Sequence, residues 1–230
     1  MNVIFDPNLV LYLPLHELDG SSFASKDAYG HQCANNDAVW KPNGHFFNGT
    51  SATISVANNA CFSFTDGAGN DKPFSVVAWI SLSDATSSTI LSKYVNAGDK
   101  REWEFSTGGS DEIRLKCYKH DDANVRIGRY AVGMGAYEGT WIMVAATYNG
   151  NKANSGIKIY KGANRIDTSD AGAGAYAGMS VTASDMEVGS LNAAGANMMD
   201  GLLGEILLYN RELAPLELQQ IELATGWRYQ

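Results

Sequence analysis

Short apolar runs separated by clusters of Gly, Asn, Asp and Ser recur along the whole 230-residue chain. Several of these runs alternate apolar with polar residues, which is typical of half-buried β-strands and not of helices. The predicted strands cover residues 9–15, 45–47, 52–56, 74–82, 89–94, 103–107, 112–119, 125–130, 141–148, 156–161, 186–191 and 201–209. A dozen strands in a chain of this length favour two antiparallel sheets packed as one sandwich.

The pattern within the runs also predicts which faces are buried. Residues 74–80 and 141–147 are the most apolar runs, so we expect them at the centre of a sheet, with Trp79 and Trp141 in the core. Residues 112–117 alternate strictly. Their charged side chains therefore face solvent, while the apolar side chains between them point inward.

One helix is predicted, and it lies at the C-terminal end. Pro215 suits a first helical turn and Gly226 suits a helix end. The glycine-rich segment 171–178 is instead typical of a flexible loop. We expect the helix to pack on the edge of the sandwich.

Charge and hydropathy argue against nucleic-acid binding and against a membrane span. The net charge of −8 argues against nucleic-acid binding, which depends on clustered Lys and Arg. No apolar run approaches the roughly 18 residues of a membrane span, and the first residues lack the pattern of a secretory signal. If the protein acts outside a cell, we expect release by lysis or a place on the surface of a virion.

Three cysteines, Cys33, Cys61 and Cys117, have no metal-type spacing. The interpretation we favour is three reduced and largely buried thiols; one disulfide and one free thiol is the alternative.

The predicted last strand and the residues on either side of it resemble the closing motif of concanavalin A-like laminin-G domains. Asp200-Gly201 leads into this strand, and Tyr209-Asn210-Arg211-Glu212-Leu213 follows it. Other segments match that family in order, namely 11–15, 27–31, 46–49, 52–56, 74–80 and 139–148. The resemblance extends from about residue 9 to about residue 229. It implies an all-β jelly-roll sandwich with one short C-terminal helix, forming a single domain over residues 1–230.

Family resemblance implies a function at a surface. Domains of this kind bind glycans, mediate adhesion or build assemblies, and the shared fold does not choose among these roles. We predict a non-catalytic carbohydrate-binding or adhesion domain whose partner is a glycan or polysaccharide. The alternative is a structural, decoration or receptor-binding protein of a virus particle, with the capsid as its partner.

Glycan binding requires an aromatic plane for the apolar face of a sugar and polar side chains beside it. The middle of the chain supplies both, and the predicted ligand-binding residues are Tyr94, Arg101, Trp103, Tyr118, Asp122, Arg126 and Tyr130. For Trp103, packing in the core is an equal alternative.

A structural calcium ion is a further implication of the resemblance, because hard cations bind carboxylate and amide oxygens in loops. The residues that match the acidic positions of the family are Asp27, Asn48, Asp200 and Glu205. Asn48 stands where the family usually has Asp, which removes one charge. The alternative is that Asp27 and Asp200 only stabilise loops.

The sequence contains few residue patterns typical of catalytic sites. Glucanases with this sandwich carry several carboxylates at alternating positions of one strand. Only the pairs Glu102/Glu104 and Asp185/Glu187 share a predicted strand face. The four histidines have no spacing that would place two on one metal ion. We therefore predict that the protein is not an enzyme, with a glycoside hydrolase or lyase using these carboxylates as the less favoured alternative.

Overall fold

Two antiparallel sheets pack face to face in the computed structural model, which describes residues 6–95, 100–119, 122–179, 181–192 and 195–230. The side chains of residues 100 and 122–124 are outside this description. The strands and the helix are β1 (Leu9–Pro14), β2 (Ser22–Ala24), β3 (Gln32–Asn36), β4 (Val39–Lys41), β5 (Gly44–Asn48), β6 (Thr53–Val56), β7 (Phe74–Asp84), β8 (Thr89–Val95), β9 (Lys100–Thr107), β10 (Ile113–Lys119), β11 (Asp122–Ala131), β12 (Ile142–Tyr148), β13 (Ile157–Lys161), β14 (Asn164–Arg165), β15 (Ser169–Asp170), β16 (Met186–Val188), β17 (Asp200–Tyr209) and α1 (Pro215–Thr225).

The first sheet has eight described strands in the order β14-β13-β12-β7-β17-β5-β4, with β1 also paired to β17. The second sheet has nine described strands in the order β15-β11-β10-β9-β8-β16-β6-β3-β2. The predicted jelly-roll sandwich is therefore confirmed, and so is the single short C-terminal helix.

The main hydrophobic core lies between the inner faces of the two sheets. Phe64 and Phe74 stack with ring centroids 4.2 Å apart, and the ring of Trp103 lies 5.6 Å from that of Phe74. From β10, Ile113, Leu115 and Cys117 point into this core. The alternation predicted for this strand is thus confirmed.

A second buried cluster lies on the outer face of the first sheet, beneath the C-terminal segment. Leu218 and Ile221 of α1 pack there with Trp79. The indole of Trp79 stacks on Tyr229 at 4.6 Å and donates a hydrogen bond to Thr225 Oγ1 at 2.8 Å. Trp79 is thus buried, as predicted, but it lies in this second cluster and not between the sheets, because successive residues of a strand point to opposite faces.

Most differences from the predicted strands are short strands at or next to the sheet edges. The sequence does not predict β2, β3, β4, β14 and β15, because they are short and mostly exposed. Strand β16 ends at Val188, earlier than predicted, because Gly189 has φ 79° and a Cβ there would lie 2.3 Å from the Phe47 ring.

The three cysteines are free. Cys33 and Cys117 are buried and Cys61 is half-buried. Burial raises the pKa of Cys33 to about 12 and that of Cys61 to about 11, and the nearby Asp27 carboxylate adds to both shifts. Within the described ranges, no helix combines the length and the apolar character needed to cross a membrane.

Candidate functional site

Polar residues from several strands form a continuous row on the outer face of the second sheet. Glu104 lies between Trp103 and Phe105, which both belong to the core, so its side chain points to the opposite face. The register pairs Glu187 with Ser92, Ser92 with Glu104, and Glu104 with Lys116. Lys116 in turn pairs with Gly128 of β11. Residues far apart in sequence thus become neighbours on one surface.

A second row lies beside the first on strands β10 and β11. Arg114 is two residues from Lys116 and pairs with Tyr130, while Tyr118 pairs with Arg126. Because side chains at i and i+2 of a strand share a face, all of these side chains are on the outer side of the sheet.

Four side chains of these rows border a cleft of about 350 Å³, here called the outer cleft: Arg114, Lys116, Arg126 and Tyr130. Its lining includes Glu112, Arg114, Lys116, Arg126, Tyr130 and Ala171. The volume is within the range of roughly 300 to 1,000 Å³ that is usual for small-ligand sites. A second cavity, of about 20 Å³ beside Tyr209 and Glu217, is too small for a sugar.

Gly128 allows the side chain of Lys116 and the methyl group of Ala171 to pack closely against β11 beside the outer cleft. A Cβ at this position would lie 3.0 Å from Lys116 Cγ and 3.1 Å from the Ala171 methyl group. It would also lie 2.9 Å from the carbonyl oxygen of Leu115. Between Arg126 and Tyr130, the outer face of β11 is therefore covered by the side chains of Lys116 and Ala171.

Carboxylates beneath and beside the cleft hold its cationic side chains in place. Glu104 Oε1 lies 3.3 Å from Lys116 Nζ and 3.4 Å from Arg114 Nε. Arg114 Nη1 also donates to Glu112 Oε1 at 3.0 Å. Arg126 Nε donates to the carbonyl oxygen of Ala171 at 3.2 Å. The positions of the guanidinium groups are therefore set before any ligand binds.

The ammonium group of Lys116 is in an unfavourable environment. Burial lowers its pKa from the ordinary value, and the neighbouring charges of Arg114 and Arg126 lower it further. The Glu104 carboxylate acts in the opposite direction. A negative charge placed in the cleft would therefore stabilise the protonated lysine.

The structure brings most of the predicted ligand-binding residues to this face. Arg126 and Tyr130 line the outer cleft. Beside it, the rings of Tyr94 and Tyr118 are 5.2 Å apart, and Arg101 Nε donates to the Tyr94 hydroxyl at 3.0 Å. These last three side chains are buried. The side chain of Asp122, also predicted, lies outside the described residues.

Trp103 is not part of this surface, so its prediction as a ligand-binding residue is wrong. Its side chain is 0% exposed and its indole N–H donates to the carbonyl oxygen of Phe62 at 3.0 Å. The reason is the alternation of β9, which sends Trp103 inward and Glu104 outward. The core-packing alternative is the correct one.

Arg114 and Lys116 were missed as site residues. The signal was present in the sequence, because the strict alternation of residues 112–117 places these cations together on the solvent-facing side of one strand. What the sequence lacked was the neighbour of that strand, since Tyr130 and Arg126 reach the same surface only through the register of β11.

The four predicted calcium ligands do not form one site. Asn48 and Asp200 are paired in register. Asp27 instead accepts a hydrogen bond from Tyr12 N at 2.9 Å, and Tyr12 pairs with Leu207, which is seven residues along β17 from Asp200. Seven residues of strand span about 23 Å.

Glu205, the fourth predicted calcium ligand, is fully buried and forms an ion pair with Arg228. The predicted set is therefore wrong as a single coordination site. Within the described residues, no group of three or more His, Cys, Asp or Glu could hold a metal ion.

The candidate catalytic carboxylates are in different environments. Glu102 is buried and accepts hydrogen bonds from Lys93 Nζ at 2.6 Å and Thr182 N at 2.7 Å. Glu187 accepts from Ser55 Oγ at 2.8 Å, and burial raises its pKa to about 7. The side chain of Asp185 accepts from Asn58 N at 2.8 Å.

Comparison with known proteins identifies the family. A search of curated protein sequences found no match to this chain. A laminin-G-type family model, described as concanavalin A-like lectin/glucanases superfamily, matches residues 48–219. The chain belongs to this superfamily. The family name covers both lectins and glucanases, so membership by itself does not separate binding from catalysis.

Solved structures similar to this superfamily member include binding domains of botulinum neurotoxins. The binding domain of botulinum neurotoxin DC in complex with rat synaptotagmin II has a TM-score of 0.68 and 12% identity, and the match covers 95% of this chain and 52% of that chain. The same domain in complex with SialylT has a TM-score of 0.67 and 11% identity, covering 95% and 52%. Botulinum neurotoxin type C, which depends on interaction with two ganglioside molecules to enter cells, has a TM-score of 0.66 and 12% identity, covering 95% and 51%.

The chain spans about half the length of the solved structures it matches. At these identities the likeness extends to the fold. The sandwich of this superfamily member is thus the same architecture that forms part of receptor-binding domains.

Proposed function

We propose that this protein is a non-catalytic carbohydrate-binding domain and that the outer cleft is its binding site. The observation that carries the proposal is the composition of the cleft. Tyr130 offers an aromatic ring, and Arg114 and Arg126 offer hydrogen-bond donors around one space of about 350 Å³. Protein sites for sugars combine these elements, because a pyranose has both an apolar face and a rim of hydroxyl groups.

Similar structures support binding as the activity. All three structures described above come from binding domains or from a toxin that needs ganglioside molecules, and one of them includes SialylT. Transfer of a glycan ligand from those proteins to this chain is part of the proposal.

The environments of the carboxylates support a non-catalytic role. A retaining or inverting glycosidase needs one carboxyl group as acid and a second as nucleophile or base, both facing the substrate. Glu104 is held by Lys116 and Arg114, and Glu102 is buried with Lys93. Glu187 lies two strands from Glu104, beyond Ser92, and does not line the outer cleft.

A glycan array with two matched variants tests the proposal. Tyr130→Ala removes the ring from the cleft, whereas Tyr29→Ala removes an exposed ring, 53% accessible, at a different place. We expect wild-type protein and Tyr29→Ala to bind the same glycans, and Tyr130→Ala to bind them up to about tenfold more weakly, since one stacking contact contributes about 0.5 to 1.5 kcal/mol. Absence of binding to every glycan, or equal loss in both variants, would refute it.

Analysis of the bound glycans tests the non-catalytic part. We expect every glycan to be recovered intact after prolonged incubation with the wild-type protein. Cleavage that disappears in Glu187→Gln or Glu104→Gln would establish the hydrolase alternative instead.

Glycan binding in the outer cleft is proposed to need neither calcium nor a capsid partner. Because the predicted calcium ligands do not fit one site, we propose that the outer cleft binds glycans without calcium. Array signals should then be unchanged by a chelator, and their loss would contradict this. Assembly on a virus particle stays a prediction, since none of the described features selects a capsid partner.

A further inference from the structure

The outward side of the C-terminal helix is apolar and exposed. Leu216, Leu223 and Trp227 are 72%, 76% and 66% exposed, which makes them the three most exposed large apolar side chains among the described residues. Their spacings of seven and four residues place them in one row along α1 and the helical turn that follows it, here called the helix stripe. A surface helix ordinarily presents charged residues on this side, so the helix stripe is typical of an interaction surface.

The outward side of the helix also carries no charge. In residues 211–230, all of which the structure describes, every exposed residue is Ala, Pro, Leu, Gln or Trp. The charged residues of this segment are half-buried, and ion pairs join Arg211 to Glu217 at 2.8 Å and Arg228 to Glu205. Because the chain has a net charge of −8, an uncharged surface is where a second, equally acidic copy would meet the least repulsion.

The sequence of the helix is almost the same in both directions. Residues 216–223 read LELQQIEL, so reversal exchanges only one Leu and one Ile. If two such helices pack antiparallel about a two-fold axis near Gln219 and Gln220, Leu216 of each copy lies opposite Leu223 of the other. The two Gln220 amides then meet beside the axis, and identical amides can pair because each both donates and accepts. The helix stripe is thus complementary to itself, as a two-fold interface requires.

We infer that the helix stripe is the interface of a symmetric homodimer, in which α1 packs antiparallel against α1 of a second copy. The inference is independent of the proposed glycan-binding function, because α1 covers the outer face of the first sheet and the outer cleft lies on the outer face of the second. A dimer of this kind carries two outer clefts, each on the side of its sandwich away from the shared helices.

Trp227 is held in position although it is exposed. Its indole N–H donates to the carbonyl oxygen of Ala224 at 3.1 Å, and the central guanidinium carbon of Arg228 lies 4.8 Å from the centre of its ring. In the antiparallel arrangement this ring reaches the start of the other helix, where Ala214 and Pro215 are exposed and uncharged. A ring that is fixed beforehand loses less entropy when an interface buries it.

Acidic side chains on both flanks of the helix stripe argue against a lipid surface as the partner. Glu217 and Glu222 lie about 100° and about 120° around the helix from Leu216, on opposite sides. Helices that lie in a membrane interface instead carry Lys and Arg beside their apolar side. A second copy of this chain fits the helix stripe better than a membrane does.

The size of the helix predicts how strong the association is. With 11 residues, α1 is about 16 Å long and about 10 Å wide. Its outward face is therefore smaller than the roughly 800 Å² that each partner buries in a standard interface. We expect a dimer that forms reversibly as the protein concentration rises.

Sedimentation equilibrium over a concentration series tests the inference. We expect the mass of the wild-type protein to rise with concentration from that of one chain to that of two. Leu216→Ala should weaken self-association about tenfold or more, since the dimer buries this side chain twice. In dilute protein, below the dissociation constant, the same change should have little effect on the free energy of unfolding, because Leu216 is exposed in a single chain.

Charge substitutions at Gln220 test the two-fold arrangement. Gln220→Glu and Gln220→Lys each place two like charges beside the axis, so each variant alone should self-associate more weakly than the wild type. An equimolar mixture of the two should dimerise again, because opposite charges then meet. Gln32→Glu is the matched control, since it makes the same chemical change at an exposed residue of β3 in the second sheet. This control should leave the dimer intact.

Other results would overturn the inference. A wild-type protein that keeps the mass of one chain up to about 1 mM, the weak end of specific association, has no such interface. Equal loss in Gln220→Glu and Gln32→Glu, or no recovery in the mixture, would place the contact elsewhere. Sedimentation of monomeric protein with phosphatidylcholine vesicles would assign the helix stripe to a lipid surface instead. None of these results bears on glycan binding in the outer cleft, which the array measures separately.

Discussion

The outer faces of the two sheets differ in what covers them. On the first sheet, Val77, Trp79 and Leu207 point outward and are covered by Leu218 and Ile221 of the helix. On the second sheet, the outward residues are carboxylates, serines, tyrosines and cations, and a cleft of about 350 Å³ remains between them. The same strand geometry therefore produces one structural face and one face available to a ligand.

This difference follows from residue chemistry and not from topology. An apolar outer face must be covered because exposed apolar area is unfavourable in water. A polar outer face needs hydrogen-bond partners instead, and Glu104 and Glu187 find them on neighbouring strands. Loss of the helix should therefore harm stability, whereas changes in the cleft should harm binding.

The largest expected effect comes from the helix-covered face. Leu218→Ala removes a side chain that is 0% exposed and leaves a cavity beneath α1. We expect the free energy of unfolding to fall by about 2 to 5 kcal/mol, as for other buried Leu-to-Ala substitutions. Urea denaturation measures this change. Binding in the outer cleft, measured under folding conditions, should be unaffected.

Leu223→Ala is the matched control on the same helix, because Leu223 is 76% exposed. Its unfolding free energy should change by less than about 0.5 kcal/mol. A loss comparable to that of Leu218→Ala would contradict the assignment of the buried side of the helix. Weakened glycan binding in Leu218→Ala would contradict the independence of the two faces.

A second, intermediate effect is on the pH dependence of stability. Burial raises the pKa of Glu187, on the second sheet, to about 7. Burial does the same for Glu205, although the charge of Arg228 opposes it. At these two groups the folded protein binds more protons than the unfolded chain between about pH 4.5 and 7, so their contribution to stability falls as the pH rises through this window. The lowered pKa values of His16 and His45 act in the opposite direction. The expected loss is about 3 kcal/mol for each carboxyl group.

Glu187→Gln separates the two faces in that measurement. The neutral amide removes the contribution of Glu187, so unfolding free energy should fall less with rising pH than it does in the wild type, while the contribution of Glu205 persists. Chemical denaturation at a series of pH values from 4 to 8 measures the slope. An unchanged slope would mean that Glu187 titrates in its ordinary range.

The smallest effect should come from Ser55, whose hydroxyl donates to both oxygens of Glu187 at 3.0 and 2.8 Å. Ser55→Ala removes a donor that favours the ionised carboxylate, so the pKa of Glu187 should rise further. We expect a cost of about 1 kcal/mol at pH 8 and less at pH 5. Carbon NMR of the Glu187 carboxyl group would follow the pKa directly. A lowered pKa would show that another group, and not Ser55, stabilises the carboxylate.

The sequence predicted the fold more completely than the site. Alternating runs and the motif around Asp200-Gly201 predicted the sandwich, and Pro215 predicted where the helix begins. The sequence does not predict short edge strands such as β4, because their side chains are exposed and form no alternating pattern. For Trp103 the sequence does not decide between ligand binding and core packing, because aromatic residues serve cores and binding sites equally well.

What the sequence by itself determined is the face of each strand on which a side chain lies. The alternation of residues 112–117 was sufficient to place Arg114 and Lys116 on the side of β10 opposite Leu115. This information is local, because successive residues of a strand point to opposite faces.

The tertiary structure alone decided which strands lie side by side, and therefore which side chains share one surface. The row from Glu187 through Ser92 and Glu104 to Lys116 joins four strands, and the separation of Asp27 from Asp200 dispersed the predicted calcium site. Strand order and register depend on packing between segments distant in the chain. No local pattern encodes them.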